Sequence, residues 1–258
     1  LKNNGLDVII AAPIVHSLKK IFSYTNISGF DFFLDDDLPT YLNETINIFP
    51  KSEKLHYYRY KKNAVSLLQK IVNKHGIPEI IYFNSVIWAA AALSEYCNKL
   101  NIPYIISEHL KEFLIVDGFS KFQKQLIRKT YESCSGIVAT SSALKKAISN
   151  SFPEYKSNIF IIPNPINEDI FIKKSILKKQ SSFNIICVAL FRSEKRIDLV
   201  VQSFYELLQS GEKAKLTIVG DGPLKSILID QIQKLNLSDS IELKGYLSQQ
   251  CLVKELHK

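Results

Sequence analysis

Short runs of consecutive apolar residues alternate along the chain with longer stretches in which apolar positions recur at helical spacing. The runs predict strands at Asp7–Pro13, Thr45–Phe49, Glu79–Phe83, Pro103–Ser107, Gly136–Thr140, Asn158–Ile162, Phe183–Leu190, Ala214–Val219 and Ser240–Leu243. The longer stretches predict helices near 55–74, 85–100, 119–132, 141–150, 195–210 and 223–236. Several runs are apolar at nearly every residue (Ile80, Ile81, Tyr82 and Phe83; Leu216, Ile218 and Val219). Strands covered on both faces read this way, which favours parallel sheets flanked by helices. Repeated strand–helix alternation then predicts right-handed βαβ units and a doubly wound α/β fold.

The pattern breaks once. Residues 164–182 carry Pro165, four lysines (Lys173, Lys174, Lys178, Lys179) and a Gln-Ser-Ser run before a new buried strand begins at Phe183. That composition predicts a linker between two α/β domains, 1–172 and 182–258. Leu1–Leu6 reads as the end of a helix closed by Gly5, Leu252–Lys258 as the start of another, and no methionine is present. The expectation is a fragment trimmed at both ends, its second sheet incomplete.

Composition narrows the class. Of 258 residues, 46% are hydrophobic and 22% charged, a balance that excludes a disordered or collagen-like chain. Cys97, Cys134, Cys187 and Cys251 are far apart and form no C-x-x-C pair, which argues against a disulfide framework or cysteine metal site and for a reducing, cytoplasmic setting. The longest apolar stretch, Val86–Leu93, falls well short of the ~20 residues of a membrane span. Thirty-three basic against 25 acidic residues give a formal charge of +8, unevenly spread. Residues 51–75 hold seven cations (Lys51, Lys54, Arg59, Lys61, Lys62, Lys70, Lys74) against Glu53. The same helix carries an apolar stripe of Tyr57, Ala64, Val65, Leu68, Ile71 and Val72. Its basic face reads either as ordinary solvated surface or as a contact for anionic lipid or an anionic acceptor. No nucleic-acid motif accompanies the charge, so nucleic acid is not an expected partner.

In open α/β sheets ligands bind beyond the carboxyl ends of the strands. Ser107-Glu108-His109 closes a buried run. A histidine there can bond a ligand hydroxyl or meet a developing charge, or can be a loop residue satisfied by backbone. Phe191–Arg196 follows the strand at 183–190. Arg192, Lys195 and Arg196 form either a phosphate clamp or a solvated cluster, and cations at a helix start oppose its dipole unless an anion joins them. Gly220-Asp221-Gly222-Pro223 turns a strand into a helix, and amides at such a start can hold an anion. A dinucleotide fingerprint fails because Lys225 occupies its third glycine position, and Glu242 is mid-strand. Asn164, between Pro163 and Pro165, reads as a rigid structural turn. No H-E-x-x-H, P-loop, nucleophile elbow or metal-spaced His/Cys cluster occurs, which leaves a hydrolase triad or metalloenzyme without support.

In order, these segments resemble glycosyltransferase family 4. The stretch "GIVATSSALKKAISNSFPEYKSNIFIIPNPINEDIF" (136–171) is similar to the close of that family's N-terminal domain. The strand at 183–190, Glu194-Lys195, "IDLVVQSFYEL", "KLTIVGDGPLKSIL" and "IELKGYLS" are similar to the start of its donor domain. "GIPEIIYFNS" and "NIPYIISEHL" resemble the strands that carry its histidine. The resemblance implies a GT-B fold, two doubly wound Rossmann-like domains facing across a cleft. It also implies transfer of a sugar from a nucleotide-sugar donor to a saccharide or lipid-linked acceptor, with retention and without a metal or other cofactor. By position it makes His109 the histidine that contacts the transferred sugar and Lys195 the diphosphate lysine. Gly220 and Gly222 become the turn near the nucleotide, and Gly245-Tyr246 the segment beside the base.

Three places depart from the family pattern. Leu190 stands where an arginine often precedes the lysine, Arg192 being the candidate substitute, and Arg196 follows where glycine is common. The family's Gly-rich loop would precede Leu1 and its Glu-x7-Glu element would follow Lys258, so the fragment alone is expected to be inactive. The implied setting is cell-surface polysaccharide or glycolipid synthesis, cytoplasmic or peripheral on the inner membrane face. A nucleotide-sugar epimerase or phosphorylase on the same fold, or a non-catalytic binding module, are the competing readings.

Overall fold

A computed structural model describes residues 5–17, 29–35, 37–47, 51–168, 170–171 and 183–256. The chain divides into two compact units, Leu1–Asn164 and Pro165–Lys258.

The first unit opens with β1 (Ile10–Ser17), β2 (Phe30–Asp35) and β3 (Leu38–Asn47), arranged β1-β3-β2. β1 runs parallel to β3, from Ile10 opposite Thr40 to Ser17 opposite Asn47, whereas β2 runs antiparallel to it. Helix α1 (Glu53–His75) follows, started by Ser52, whose hydroxyl accepts from the Leu55 amide, and stopped at Gly76, whose φ is 88°. The helix buries Tyr57, Ala64, Leu67, Leu68 and Ile71. Leu67 and Ile71 pack with Tyr41 of β3, while Lys54, Lys62, Lys70 and Lys74 stay exposed. Arg59 instead turns back to β3, donating to the Ile46 carbonyl and the Thr45 hydroxyl, both at 3.1 Å.

A second, all-parallel sheet in this unit has the order β4 (Ile81–Asn84), β5 (Tyr104–Glu108), β6 (Gly136–Ala139), β7 (Ile159–Ile161). Its connections are α2 (Ala91–Lys99), α3 (Lys121–Ser133) and α4 (Ser142–Ser151). Ser120 and Gln123 cap α3 reciprocally and Ser141 caps α4, which satisfies amides that a helix start leaves without partners. All four residues of β6 are buried. Ile106, Ile127, Ile137, Ala139 and Ile148 are sealed from solvent completely and form the centre of the core.

The second unit repeats the logic with β8 (Phe183–Val188), α5 (Ile197–Gln209), β9 (Ala214–Val219), α6 (Lys225–Lys234), β10 (Ile241–Gly245) and α7 (Gln249–Leu256). Its strands are all parallel, with β9 between β10 and β8. Ile197, Val201 and Phe204 of α5 meet Leu216 and Ile218 of β9 and Leu228 and Ile232 of α6.

The α/β class and parallel strands are as the pattern predicts, with three corrections. β1 begins at Ile10 rather than Asp7, and β3 begins at Leu38, well before Thr45. Residues 48–49 of the predicted strand, residues 1–4 of the predicted helix end and most of the predicted linker (169, 172–182) lie outside the described residues. β2 is a strand that the sequence pattern does not predict, exposed at every residue with Asp31 and Asp35 among its phenylalanines, and it makes the first sheet mixed. The predicted helix at 85–100 is regular only from Ala91. Before it, Ser85 (φ 81°) and Trp88 (φ 69°) adopt left-handed angles in a kinked turn that buries Val86, Ile87 and Ala90.

Candidate functional site

Parallel strands deliver their carboxyl ends to one edge of a sheet, and the loops there carry the candidate residues. In the second unit these loops are knit by backbone. The amide of Ala189 donates to the Val219 carbonyl, Phe191 to Asp221, Leu224 to Phe191 and Gly220 to Gly245, at 2.8–3.1 Å. Approach this close requires missing side chains. A Cβ on Gly220, whose φ is 141°, would overlap the Ala189 carbonyl, and one on Gly222 (φ 157°) would stand 2.7 Å from the Phe191 carbonyl oxygen. At Gly245 (φ 65°) a register shift closes β10, and Tyr246 beyond it is 81% exposed.

The turn at 220–223 is not an open amide cradle. The Gly222 amide donates to Asp221 Oδ1 at 2.7 Å, and the Leu224 and Lys225 amides donate to the Phe191 and Gly222 carbonyls. Asp221 also accepts from Lys225 Nζ at 2.7 Å, and that ammonium, with the Gly222 amide, holds its carboxyl below the usual range. The glycines thus let the loops meet, whereas positive charge comes from the neighbouring segment.

That segment is a 3₁₀ turn, Ser193–Lys195, between β8 and α5. Arg196 follows in the left-handed region (φ 48°) and engages Asp198 through Nε and Nη2, the latter at 2.9 Å. It is therefore neutralised within α5's own first turn. Arg192 and Lys195 are exposed and bond no side chain among the described residues. Arg192 and Arg196 also line a pocket of about 340 Å³ between the starts of α5 and α6, walled by Ile197, Leu224, Ile227 and Leu228; Lys195 is not in its wall.

In the first unit His109 directly follows β5 and is exposed. Its Nε2 bonds the buried Ser107 hydroxyl at 2.9 Å, which orients the ring from within the sheet. Between them Glu108 is 0% exposed. Its Oε1 accepts from the Tyr131 hydroxyl at 2.6 Å and the Val86 amide at 3.2 Å, while among the described residues Oε2 has no partner, nor does the buried Ser85 hydroxyl. Burial pushes the Glu108 carboxyl up to about 7, against the opposing pull of its two donors. Sequence reasoning passed over Glu108, although a carboxylate closing a buried parallel strand is itself a signal of unusual ionisation. Asn164 lies within an exposed stretch and is the last residue of the first unit.

These parallel sheets, each with candidate residues at its carboxyl edge, form the architecture of GT-B glycosyltransferases. The chain belongs to glycosyltransferase family 4, whose model matches residues 31–170, more than half its length; a second model, "Glycosyl transferases group 1", matches residues 168–258. It is 24% identical over 247 residues to a poly(ribitol-phosphate) alpha-N-acetylglucosaminyltransferase of Staphylococcus aureus, covering 91% of this chain and 48% of that one. It is 27% identical over 171 residues to an alpha-monoglucosyldiacylglycerol synthase of Streptococcus pneumoniae, covering 58% and 38%. The chain therefore spans less than half the length of either relative. An Escherichia coli structure described as "Trehalose-6-phosphate from E. coli bound with UDP-2-fluoro glucose" shares the fold at a TM-score of 0.64 and 8% identity, covering 95% of this chain and 76% of that one.

Two outcomes follow from this geometry. Gly220→Ala costs about 2 kcal/mol or more of stability in denaturant unfolding, whereas Gly29→Ala, with open space around it, changes stability by less than about 0.5 kcal/mol. For Glu108, a carboxyl near 7 rather than 4.5 keeps its proton in the folded state after the unfolded chain has released it. Its stabilising contribution is full below pH 4.5 and is lost as the pH rises through about 7. Glu108→Gln has no such loss, so between pH 4.5 and 8 the stability difference shifts in the variant's favour by about 3 kcal/mol, read from denaturation midpoints at each pH.

Proposed function

We propose that the intact protein transfers a hexose-type sugar, with retention of anomeric configuration, from a nucleotide-sugar donor to a saccharide or lipid-linked acceptor. The observation that carries this reading is the pair Arg192 and Lys195, two cations with no carboxylate partner among the described residues, on the loop after β8, which is bonded to the end of β9 and the turn after it. In the reaction the bond between the anomeric carbon and the diphosphate oxygen breaks and a bond to the acceptor oxygen forms, while the acceptor hydroxyl gives up its proton. Negative charge grows on the departing diphosphate. Lys195, with Arg192, meets that charge, and a preorganised donor of this kind is worth about 3–4 kcal/mol of barrier. His109, with its ring fixed through Ser107, bonds the transferred sugar. Gly220, Gly222 and Gly245 shape the surface against which the nucleotide lies, and exposed Tyr246 stands beside the base.

The family supports a transferase, and the activities of the two relatives, a poly(ribitol-phosphate) alpha-N-acetylglucosaminyltransferase and an alpha-monoglucosyldiacylglycerol synthase, support the acceptor classes. Work at the cytoplasmic face of a membrane fits those acceptors. Among the described residues no helix is long and apolar enough to cross a membrane, so contact would be peripheral. The first unit offers a face for it. Lys70 Nζ lies 4.2 Å from the Phe30 ring centre and Lys74 Nζ 4.9 Å from that of Phe32, on a strand whose Leu34 is 62% exposed. Aromatic rings at the acyl boundary with lysines at phosphate level is the composition of an interfacial contact.

Incubated with a panel of nucleotide sugars and acceptors, the full-length protein yields a glycosylated product whose anomeric proton coupling matches the donor's. Lys195→Ala lowers kcat at least tenfold, and His109→Ala impairs transfer with the melting temperature unchanged. Isomerised donor, phosphorolysis, inverted product or an unaffected Lys195→Ala variant overturns the reading. Separately, the protein sediments with vesicles rich in anionic lipid at low salt and is released at high salt, and Lys70→Glu/Lys74→Glu weakens that binding. Salt-insensitive or absent binding refutes the membrane contact.

A further inference from the structure

Amides of two consecutive residues, Ser85 and Val86, donate to the last two residues of β5. Ser85 donates to the Ser107 carbonyl at 2.7 Å, and Val86 to Glu108 Oε1 at 3.2 Å. Both belong to the kinked turn after β4, which holds two non-glycine residues at φ 81° and 69°. Such angles persist only where surrounding contacts over-determine them. The same Oε1 takes the Tyr131 hydroxyl from α3, and the next residue along the chain is His109. The Cys134 thiol, just past the end of α3, feels the charge of this carboxyl.

We infer that Glu108 is a positioning residue for His109: a fully buried acceptor that clamps the strained turn after β4 and helix α3 onto the tip of β5, and so fixes where the imidazole stands. A core that only needed filling would place an apolar side chain here, because a carboxyl with one unpaired oxygen is costly to bury. What the carboxyl supplies instead is a single oxygen that receives donors from two different elements. Tyr131, itself 1% exposed, satisfies its buried hydroxyl on this oxygen. The clamp and the Ser107–His109 bond then act in series: the first holds the strand end, the second holds the ring on it.

The catalytic half of this inference rests on the glycosyltransferase reading; the clamp itself does not. In the full-length protein, Glu108→Met keeps the volume but removes the acceptor, and Glu108→Gln keeps an acceptor oxygen. Hydrogen exchange at the Ser85 and Val86 amides is read alongside kcat and the KM for donor. Glu108→Met loses at least tenfold protection at both amides and at least tenfold in kcat, with KM within threefold, and Glu108→Gln restores protection and kcat to within threefold of wild type. If Glu108→Met does not fold, Tyr131→Phe takes its place, with an expected loss of at least threefold in both readouts. Unchanged protection in Glu108→Met overturns the clamp, as does a Glu108→Gln variant that behaves like Met. Lost protection with unchanged kcat overturns the positioning role. A wild-type protein that transfers no sugar overturns the glycosyltransferase reading, and the exchange data then still decide the clamp.

Discussion

No side chain can stand at residue 220. The carbonyl of Ala189 occupies the space a Cβ would need, and this exclusion lets the loops after β8, β9 and β10 touch through backbone alone. Once the loops are bonded to one another, the segment at 191–195 has a fixed floor, and its cations are presented from a rigid edge rather than a mobile tip. Preorganisation of this kind is what makes an exposed charge useful to a ligand, since the cost of ordering it is met in folding rather than in binding. The same backbone bonds consume the amides of the glycine turn. The division of labour in this unit is therefore between glycines that permit contact and cations that supply charge.

The cation cluster shows how local pairing selects among residues of one kind. Three positive side chains lie within five residues, yet among the described residues two of them pair with no carboxylate. Arg196 is withdrawn by Asp198, two residues on, in a bidentate contact, with each partner reinforcing the other's charged form. Lys225 is withdrawn in the same way by Asp221. Sequence alone lists these cations as equals; the carboxylates beside them decide which remain available.

What was legible in the sequence follows the strength of the packing signal. Strands as deeply buried as β5 and β6 are read directly from their apolar runs, and α3 and α4 from apolar positions at helical spacing. β2 and the first part of β3 were missed because one is exposed at every residue and broken by Asp31 and Asp35, and the other carries Pro39, Asn43 and Glu44. Their strand character is a property of pairing partners far along the chain, which local composition cannot display. The turn at 85–90 was missed for the opposite reason. It is apolar enough for a helix, but burying Val86, Ile87 and Ala90 together required left-handed angles at Ser85 and Trp88. Among site residues, His109, Lys195 and the glycines announced themselves by position at strand ends. Glu108 did not, because its importance lies in a hydroxyl 23 residues away and an amide 22 residues away.

β2 pairs with β3 on one side, and among the described residues no strand bonds its other side. An open rail of main-chain donors and acceptors flanked by phenylalanine is an invitation to stack with another copy and grow. Asp31 and Asp35, interleaved with Phe30, Phe32 and Leu34, put like charges along that rail. Two such edges meeting would bring carboxylates against carboxylates. A chain with exposed apolar side chains on an unpaired edge is thereby guarded against fibrillation, and those aspartates matter most at high concentration, long before any substrate is present.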